Sequence, residues 1–479
     1  MKTPILGSSY VARSINAADA RMVNLFPEIV PEAGKEPAFL NRAPGLLLLN
    51  TIGTGPIRGL WAFSSNDDHA FVVSGTQLFR ITTAYVPTLI GTIAGTGPVS
   101  MADNGTQLFI AADGPSYIYN NTTNAFGQIT DPDFPGAVTV AYLDGYFVFN
   151  EPNSQKMWIT ALLDGTSIDP LEFASTEGSP DGLVAVIANF REVWAFGTNS
   201  IEVWSDTGAT DFPLQRIPGA FNELGCAAPY SIAKMDNGLF WLGRDRRGEG
   251  IVYRANGYAG QRISTHAVEW QIQQYSDLSD AVAYTYQQDG HSFYVLIFPT
   301  ANTTWVYDVA TQAWHERAGF VNGEFTRHRS NCQMSFGNNV IVGDYQNGNI
   351  YAFDLEDYSD NGGIQKWLRS WRALPTGQNN LKRTAQHSLQ LDIESGTGLN
   401  LGQGSDPEVM LRWSDDGGHT WSNEHWAQIG KIGEYYRRVF WRRLGMTVKL
   451  RDRVYELSGT DPVKISIMGA ELILSPTNA

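Results

Sequence analysis

One local pattern recurs seven times between residues 60 and 365 of this chain. Each unit is a β-rich run, a turn rich in Gly, Asn and Asp, and a second β-rich run. The units start roughly 38 to 54 residues apart, which is the spacing of propeller blades. The predicted hairpins are 69–81, 107–119, 146–159, 192–204, 239–253, 293–307 and 339–353. Alternating apolar and polar residues within them favour strands over helices.

We therefore expect an all-β chain whose main body is a β-propeller of about seven blades. Six or eight blades would also fit, because the fifth interval is long. Radial repetition leaves only short sheet edges, so a large all-β chain of this kind avoids edge-to-edge aggregation. The 48 glycines and the 12% aromatic residues suit many short strands and tight turns. A fold of two β-sandwich domains is the alternative interpretation.

Two further segments flank the repeats. Residues 1–50 carry five prolines that interrupt any helix, so we expect an extended docking arm that lies on its own domain or on a neighbouring subunit. Met22 and Phe26 are its candidate contact residues. The turn-rich stretch 374–380 indicates a linker, and strand-like runs follow it. The predicted domains are the arm 1–50, the propeller 51–365 and a β-sandwich-like domain 366–479.

Net charge and cysteine content exclude several classes of protein. The formal net charge is −15, and phosphate binding requires neutralisation by Lys and Arg, so we expect a poor general nucleic-acid binder. Two distant cysteines exclude a disulfide scaffold and favour assembly in a reducing compartment. The first ten residues lack the apolar stretch of a signal peptide, and no run of about 18 apolar residues occurs.

The sharpest local motif is the octapeptide 414–421. It matches the Asp-box pattern S-x-D-x-G-x-T-W of sialidase propellers at Ser414, Asp416, Gly418, Thr420 and Trp421. In a hairpin turn, the aspartate can accept turn N–H groups and the glycine can take a positive φ. The motif occurs once and lies outside the repeats, so we predict a structural turn.

No catalytic, cofactor or metal signature stands out. Adjacent carboxylates such as Asp415 and Asp416 lie in predicted turns, where solvated side chains are the ordinary outcome. The sequence has no G-x-S-x-G nucleophile elbow and no Walker motif. Its eight histidines are scattered, with no Cys/His cluster at metal-ligand spacing. We therefore predict a protein that is not an enzyme and that needs no cofactor.

Two basic segments stand out against the acidic background. In 431–453, eight Lys and Arg residues alternate with aromatic residues, and the candidate interface residues are Arg437, Arg438, Trp441, Arg442, Arg443 and Arg451. The second segment, 366–383, contains Lys366, Arg369, Arg372, Lys382 and Arg383 with Trp367 and Trp371. These residues could pair with an acidic face of a neighbouring subunit. Contact with DNA phosphates and solvation on outward strand faces are the two alternatives.

Several segments resemble one known family. Residues 175–183, 190–204 and 208–210, together with 43–46 and 437–445, resemble the packaged-DNA stabilisation proteins of short-tailed bacteriophages, also called the tail hub or nozzle. The resemblance follows the chain in order over nearly its whole length. The family offers no catalytic residues to transfer to this sequence.

The resemblance implies a structural virion protein, assembled in the host cytoplasm as a homohexameric ring in the tail. It would lie beneath the head-to-tail adaptor, meet a needle or plug protein at its tip and hold tailspikes or fibres at its side. It would retain packaged DNA and form the conduit for ejection, and duplex DNA would pass without sequence readout. An acidic channel wall would repel phosphates rather than capture them. A glycan-binding or glycan-hydrolysing propeller is the alternative function, and a peptide-binding adaptor is a third.

Overall fold

The computed structural model describes residues 1–15, 17–32, 34–64, 68–209, 212–378, 382–448 and 453–477. The regular secondary structure of these residues consists almost entirely of strands. The exceptions are one α-helix, α1 (His266–Ile272), and a 3-10 helix at Pro229–Ser231. Thr265 caps α1, because its side chain accepts a hydrogen bond from the amide of Val268. No helix in the described ranges has the length and apolar character needed to cross a membrane.

Seven short strands precede the repeats. They are β1 (Lys2–Thr3), β2 (Tyr10–Val11), β3 (Asp19–Ala20), β4 (Met22–Val23), β5 (Leu25–Ile29), β6 (Ala38–Arg42) and β7 (Gly45–Thr51).

Six blades follow in sequence, each an antiparallel sheet. Blade 1 is β8 (Ile57–Ala62), β9 (His69–Ser74), β10 (Gln77–Thr82) and β11 (Pro87–Thr92); blade 2 is β12 (Ser100–Asp103), β13 (Gln107–Ala111), β14 (Ser116–Asn120) and β15 (Ala125–Gln128). Blade 3 is β16 (Val140–Leu143), β17 (Tyr146–Asn150), β18 (Lys156–Ile159) and β19 (Phe173–Ser175); blade 4 is β20 (Leu183–Asn189), β21 (Glu192–Gly197), β22 (Ile201–Asp206) and β23 (Leu214–Asn222). Blade 5 is β24 (Gly225–Cys226), β25 (Ala233–Met235), β26 (Gly238–Asp245), β27 (Gly248–Asn256) and β28 (Ala259–Arg262); blade 6 is β29 (Val282–Gln288), β30 (His291–Phe298), β31 (Thr303–Asp308) and β32 (Ala313–Glu316).

The seventh blade closes the ring with a strand from the other end of the chain. After the hairpin β33 (Ala318–Val321) and β34 (Glu324–Arg327), it consists of β35 (Ser330–Phe336), β36 (Asn339–Asp344) and β37 (Asn349–Asp354), and β7 is its outermost strand. The first strand of blade 7 contacts that of blade 1, so the seven blades form a closed circle. The predicted propeller is confirmed, and each predicted hairpin coincides with the two middle strands of a blade.

The C-terminal strands form a β-sandwich. They are β38 (Trp367–Arg372), β39 (Thr384–Ile393), β40 (Glu408–Ser414), β41 (His425–Gln428), β42 (Val439–Arg442), β43 (Val454–Gly459) and β44 (Ser466–Pro476). One sheet has the order β42-β39-β44-β6-β5, and β1 also pairs with β44. The other continues β38-β43-β40-β41. Residues 379–381 and 449–452 lie outside the described ranges, and the first of these segments includes part of the predicted linker.

The N-terminal segment joins the two domains. Strand β4 pairs with β32 of blade 6 on one side and with β38 of the sandwich on the other, so one nine-stranded sheet crosses the junction. Because β1, β5 and β6 lie in the sandwich and β7 lies in the propeller, the segment packs on its own chain. The predicted boundary at residue 50 falls inside β7, whereas the structure divides the two domains before residue 45.

Two buried side chains stabilise this junction through hydrogen bonds. Asn24 is fully buried, and its Nδ2 donates to the carbonyl oxygens of Ala318 at 2.8 Å and Lys366 at 2.7 Å. The amide of Ala318 donates to Asn24 Oδ1 at 3.0 Å. The guanidinium of Arg42 donates to carbonyl oxygens on both sides of the junction, including those of Tyr358 at 3.1 Å and Val463 at 2.9 Å. Burial lowers the pKa of Arg42 to about 9.

Candidate assembly surface

The basic segment that follows residue 430 lies along one edge of the sandwich. Strand β42 is the outermost strand of its sheet, and β41, which contacts it, is the outermost strand of the other. Along β42 the side chains alternate, so that Val439 and Trp441 point into the core whereas Phe440 and Arg442 are exposed. This edge therefore presents exposed side chains. In the described part of the chain, the backbone of its outermost strand pairs with another strand on one side only.

Four of the predicted interface arginines are on this surface. Arg437, Arg438, Arg442 and Arg443 are all exposed. Arg438 donates to Gln390 Oε1 at 2.8 Å, and the guanidinium of Arg442 lies 4.5 Å from the centroid of the Phe440 ring. Within the described ranges, no carboxylate forms an ion pair with any of the four. The edge therefore carries positive charge that no carboxylate of the described residues compensates by an ion pair.

Large exposed aromatic side chains accompany the arginines. Tyr436 is 96% exposed, Tyr435 is 70% exposed and Trp426, on β41, is 59% exposed. Arginine together with tyrosine and tryptophan is the combination that carries most energy in protein interfaces. We name this surface the arginine edge; it comprises Trp426, Tyr435, Tyr436, Arg437, Arg438, Phe440, Arg442 and Arg443. Sequence reasoning missed Trp426, because β41 is short and lies outside the basic segment.

Three predicted contact residues point inward. Trp441 is 6% exposed, and its Nε1 donates to the carbonyl oxygen of His425 at 2.8 Å. Met22 is fully buried in the sandwich core, and Phe26 packs edge-on against Phe293 of the propeller. These side chains pack within the chain itself and have no surface to offer a neighbouring subunit. Arg451 lies outside the described residues.

The second basic segment is internal in part, since Arg369, Trp367 and Trp371 are buried whereas Lys382 is exposed. Arg369 is 1% exposed, and its guanidinium donates to the carbonyl oxygens of Ile5 at 2.6 Å and Ala20 at 3.2 Å. Trp371 Nε1 donates to Thr3 Oγ1 at 2.6 Å. Burial without a carboxylate partner lowers the pKa of Arg369 to about 10. These residues fasten the first strands to β38, so Arg369 and Trp371 are unavailable to DNA or to another subunit.

The Asp-box-like segment forms a turn that is stabilised by hydrogen bonds between its own residues. Asp416 Oδ1 accepts hydrogen bonds from Ser414 Oγ at 2.6 Å and from the amide of Thr420 at 2.9 Å. These bonds hold the pKa of Asp416 well below its usual value. Gly418 has a φ of +102°, and its carbonyl oxygen accepts from Trp421 Nε1 at 3.1 Å. The neighbouring Asp415 forms a bidentate pair with buried Arg453, so this turn braces the sandwich.

The mouth of the propeller axis contains a cavity of about 430 Å³. Of its described lining residues, two are arginines, Arg58 and Arg327, and both are more than nine-tenths buried. Arg58 is held by the carbonyl oxygens of Gly75, Ala94 and Gly97. A sialidase would need a cluster of arginines available to a carboxylate around this axis. Nowhere in the described ranges do three His, Cys, Asp or Glu side chains meet as a metal site would require.

Comparison with known proteins decides between the family resemblance and the glycan-directed alternative. A family model described as the β-propeller of bacteriophage P22 Gp10 matches residues 1–358, and a second, described as its β-sandwich, matches residues 367–474. This chain belongs to the P22 gp10 family. The tail hub protein gp10 of Salmonella phage P22 is 23% identical over 394 residues, which cover 79% of this chain and 80% of that protein.

Membership in the P22 gp10 family confirms the predicted resemblance and the predicted structural, non-enzymatic role in a virion tail. Solved structures add less. The WD40 domain of Neurospora crassa Pan2 aligns with a TM-score of 0.40 and 9% identity over 62% of this chain and 89% of that one. Virginiamycin B lyase from Staphylococcus aureus aligns with a TM-score of 0.43 and 12% identity over 65% and 98% of the two chains. At these scores neither likeness supports an argument about function.

Proposed function

We propose that this member of the P22 gp10 family forms a homohexameric ring at the DNA exit of the virion, where it retains the packaged genome and forms the conduit for its ejection. The observation that carries this proposal is the arginine edge, a surface with exposed aromatic side chains and four arginines that form no ion pair with a described carboxylate. Solvent-exposed charges without partners contribute little to the stability of a monomer, but they are strong determinants of partner choice.

The rest of the chain suits the same role. The closed propeller and the sheet shared at β4 join the two domains by continuous strand pairing, and a subunit joined in this way suits a channel of fixed width. The net charge of −15 disfavours lasting contact with DNA phosphates, so a duplex would pass without being captured. The proposed partners are a head-to-tail adaptor above the ring, a needle or plug protein at its tip, and tailspikes or fibres at its side.

Charge reversal on the arginine edge tests this role. We expect Arg442→Glu with Arg443→Glu to abolish ring assembly, alone or on the adaptor, while the monomer keeps its fold. Both side chains are exposed, and neither forms an ion pair within the described residues. The control reverses Arg246 and Arg247, which are also adjacent and exposed but lie in a hairpin turn of blade 5, where Arg247 pairs with Asp245. Light scattering reports the mass, and circular dichroism reports the fold. Normal assembly of the Arg442/Arg443 variant would refute the proposed role of the edge.

A further inference from the structure

A second concave surface lies on the outer part of blade 3. It encloses about 470 Å³ between β17 and the long connection from β18 to β19. Tyr146, Leu162, Asp169 and Glu172 are among the side chains that line it. We name this surface the blade 3 groove. It belongs to a loop that the repeat pattern alone does not require, since neighbouring blades connect the same strands with shorter turns.

The rim of the groove is apolar and exposed. Leu162 is 59% exposed, Leu163 is 61% exposed and Leu171 is 82% exposed. Leu163 also has a φ of +60°, a conformation that costs a bulky side chain about 1 kcal/mol or more. Its amide donates to the carbonyl oxygen of Gly145 at 2.8 Å, which holds the loop in this conformation. Large apolar side chains fixed together in solvent are typical of binding surfaces.

The charged side chains that line the groove are carboxylates. Asp169 and Glu172 line it, and no Lys or Arg is among its described lining residues. The segment that contains Asp131 and Asp133 adjoins it, because Asp131 Oδ2 accepts a hydrogen bond from the amide of Ile168 at 3.0 Å. The groove therefore combines carboxylates with exposed leucines, whereas the arginine edge combines guanidinium groups with exposed aromatic rings.

From this complementarity we infer that the blade 3 groove of one subunit receives the arginine edge of a second copy of this chain. Guanidinium groups of the edge face the carboxylates of the groove, and the exposed rings of Tyr435 and Tyr436 pack on its leucines. Because the two surfaces are different patches of one chain, the contact is heterologous, and its repetition produces a ring when the rotation closes. This inference rests on the proposed ring function and names the second half of its subunit contact.

Reversing the charge of each surface separately gives a decisive test. The groove variant carries Asp169→Lys and Glu172→Lys, and the edge variant carries Arg442→Glu and Arg443→Glu. Each variant alone places like charges in every contact, so each should remain monomeric in light scattering at concentrations where the wild type assembles. In an equimolar mixture every contact can join opposite charges, so assembly should return. A mixture that stays monomeric, or a groove variant that assembles normally, would overturn the inference.

A milder variant guards against misfolding in the groove. Leu171→Arg changes one side chain that is 82% exposed, and its matched control is Leu401→Arg at a side chain that is 86% exposed in the sandwich. We expect at least a tenfold loss of assembly for Leu171→Arg and none for the control, with equal melting temperatures. A wild type that never assembles would refute the proposed ring itself. A wild type that assembles while Leu171→Arg has no effect would refute only the groove.

Discussion

Replacing Asn24 by alanine should uncouple the propeller from the sandwich. The change removes three buried hydrogen bonds, two to carbonyl oxygens and one from the amide of Ala318. A buried backbone group left without a partner costs about 1–3 kcal/mol, so three such groups cost roughly 3–5 kcal/mol when the site relaxes in part. The φ of +52° at Asn24 adds about 1 kcal/mol, because alanine tolerates this conformation less well than asparagine. We therefore expect a loss of roughly 4–6 kcal/mol.

Urea unfolding followed by tryptophan fluorescence measures this loss in the free energy of unfolding. Two control variants separate the part due to the hydrogen bonds from the part due to the positive φ. Asn24→Gly accommodates the positive φ, so it should lose about 1 kcal/mol less than Asn24→Ala. Asn361→Ala has nearly the same φ, +51°, at an exposed turn, so it should lose only about 1 kcal/mol. If Asn24→Ala cost no more than Asn361→Ala, the buried hydrogen bonds would not stabilise the junction.

Two further predictions concern pH and a turn. Burial beside Arg317 and Arg329 lowers the pKa of His328 to about 3, against about 6.5 in the unfolded chain. The folded state favours the neutral imidazole ring, so the stabilisation that His328 gives is complete above about pH 6.5 and is lost as pH falls toward 3. The midpoint of urea unfolding should therefore fall less steeply over this window in a His328→Gln variant than in the wild type. Equal slopes would contradict the role assigned to His328. At Gly418, a Cβ would lie 2.8 Å from Asp19 Oδ2, whereas at Gly433, also with a positive φ, it would meet open space. The melting temperature should therefore fall further for Gly418→Ala than for Gly433→Ala, and equal losses would show that the contact with Asp19 is unimportant.

The repeats could be predicted because each hairpin is local. Its two strands are adjacent in the sequence, and their alternation and turn residues suffice to identify them. The strand that closes blade 7 could not be identified in this way. Strand β7 pairs with β37, about 300 residues away, and the prolines around β7 suggested irregular structure instead. Closure of the circle of blades depends on pairing between distant parts of the chain, which local periodicity does not indicate.

The candidate surface was predicted in part for the same reason. Alternation along Val439–Arg442 implies that Trp441 and Arg442 face opposite sides, but the sequence does not say which side is the core. The basic residue Arg369 could not be separated from Arg442 by composition, because both lie in basic segments that contain tryptophans. Only the docking of the first twenty residues on β38 shows that Arg369 binds backbone carbonyl groups of its own chain.

The mass of the assembled protein tests the central claim most directly. Light scattering of the purified full chain, alone and with the head-to-tail adaptor, compares the assembled mass with that of the 52.8 kDa subunit. The proposed ring predicts a mass near six subunits in at least one of the two conditions, and its loss when Arg442 and Arg443 are reversed. A monomer under both conditions, at concentrations well above those reached during virion assembly, would contradict a ring-forming tail hub.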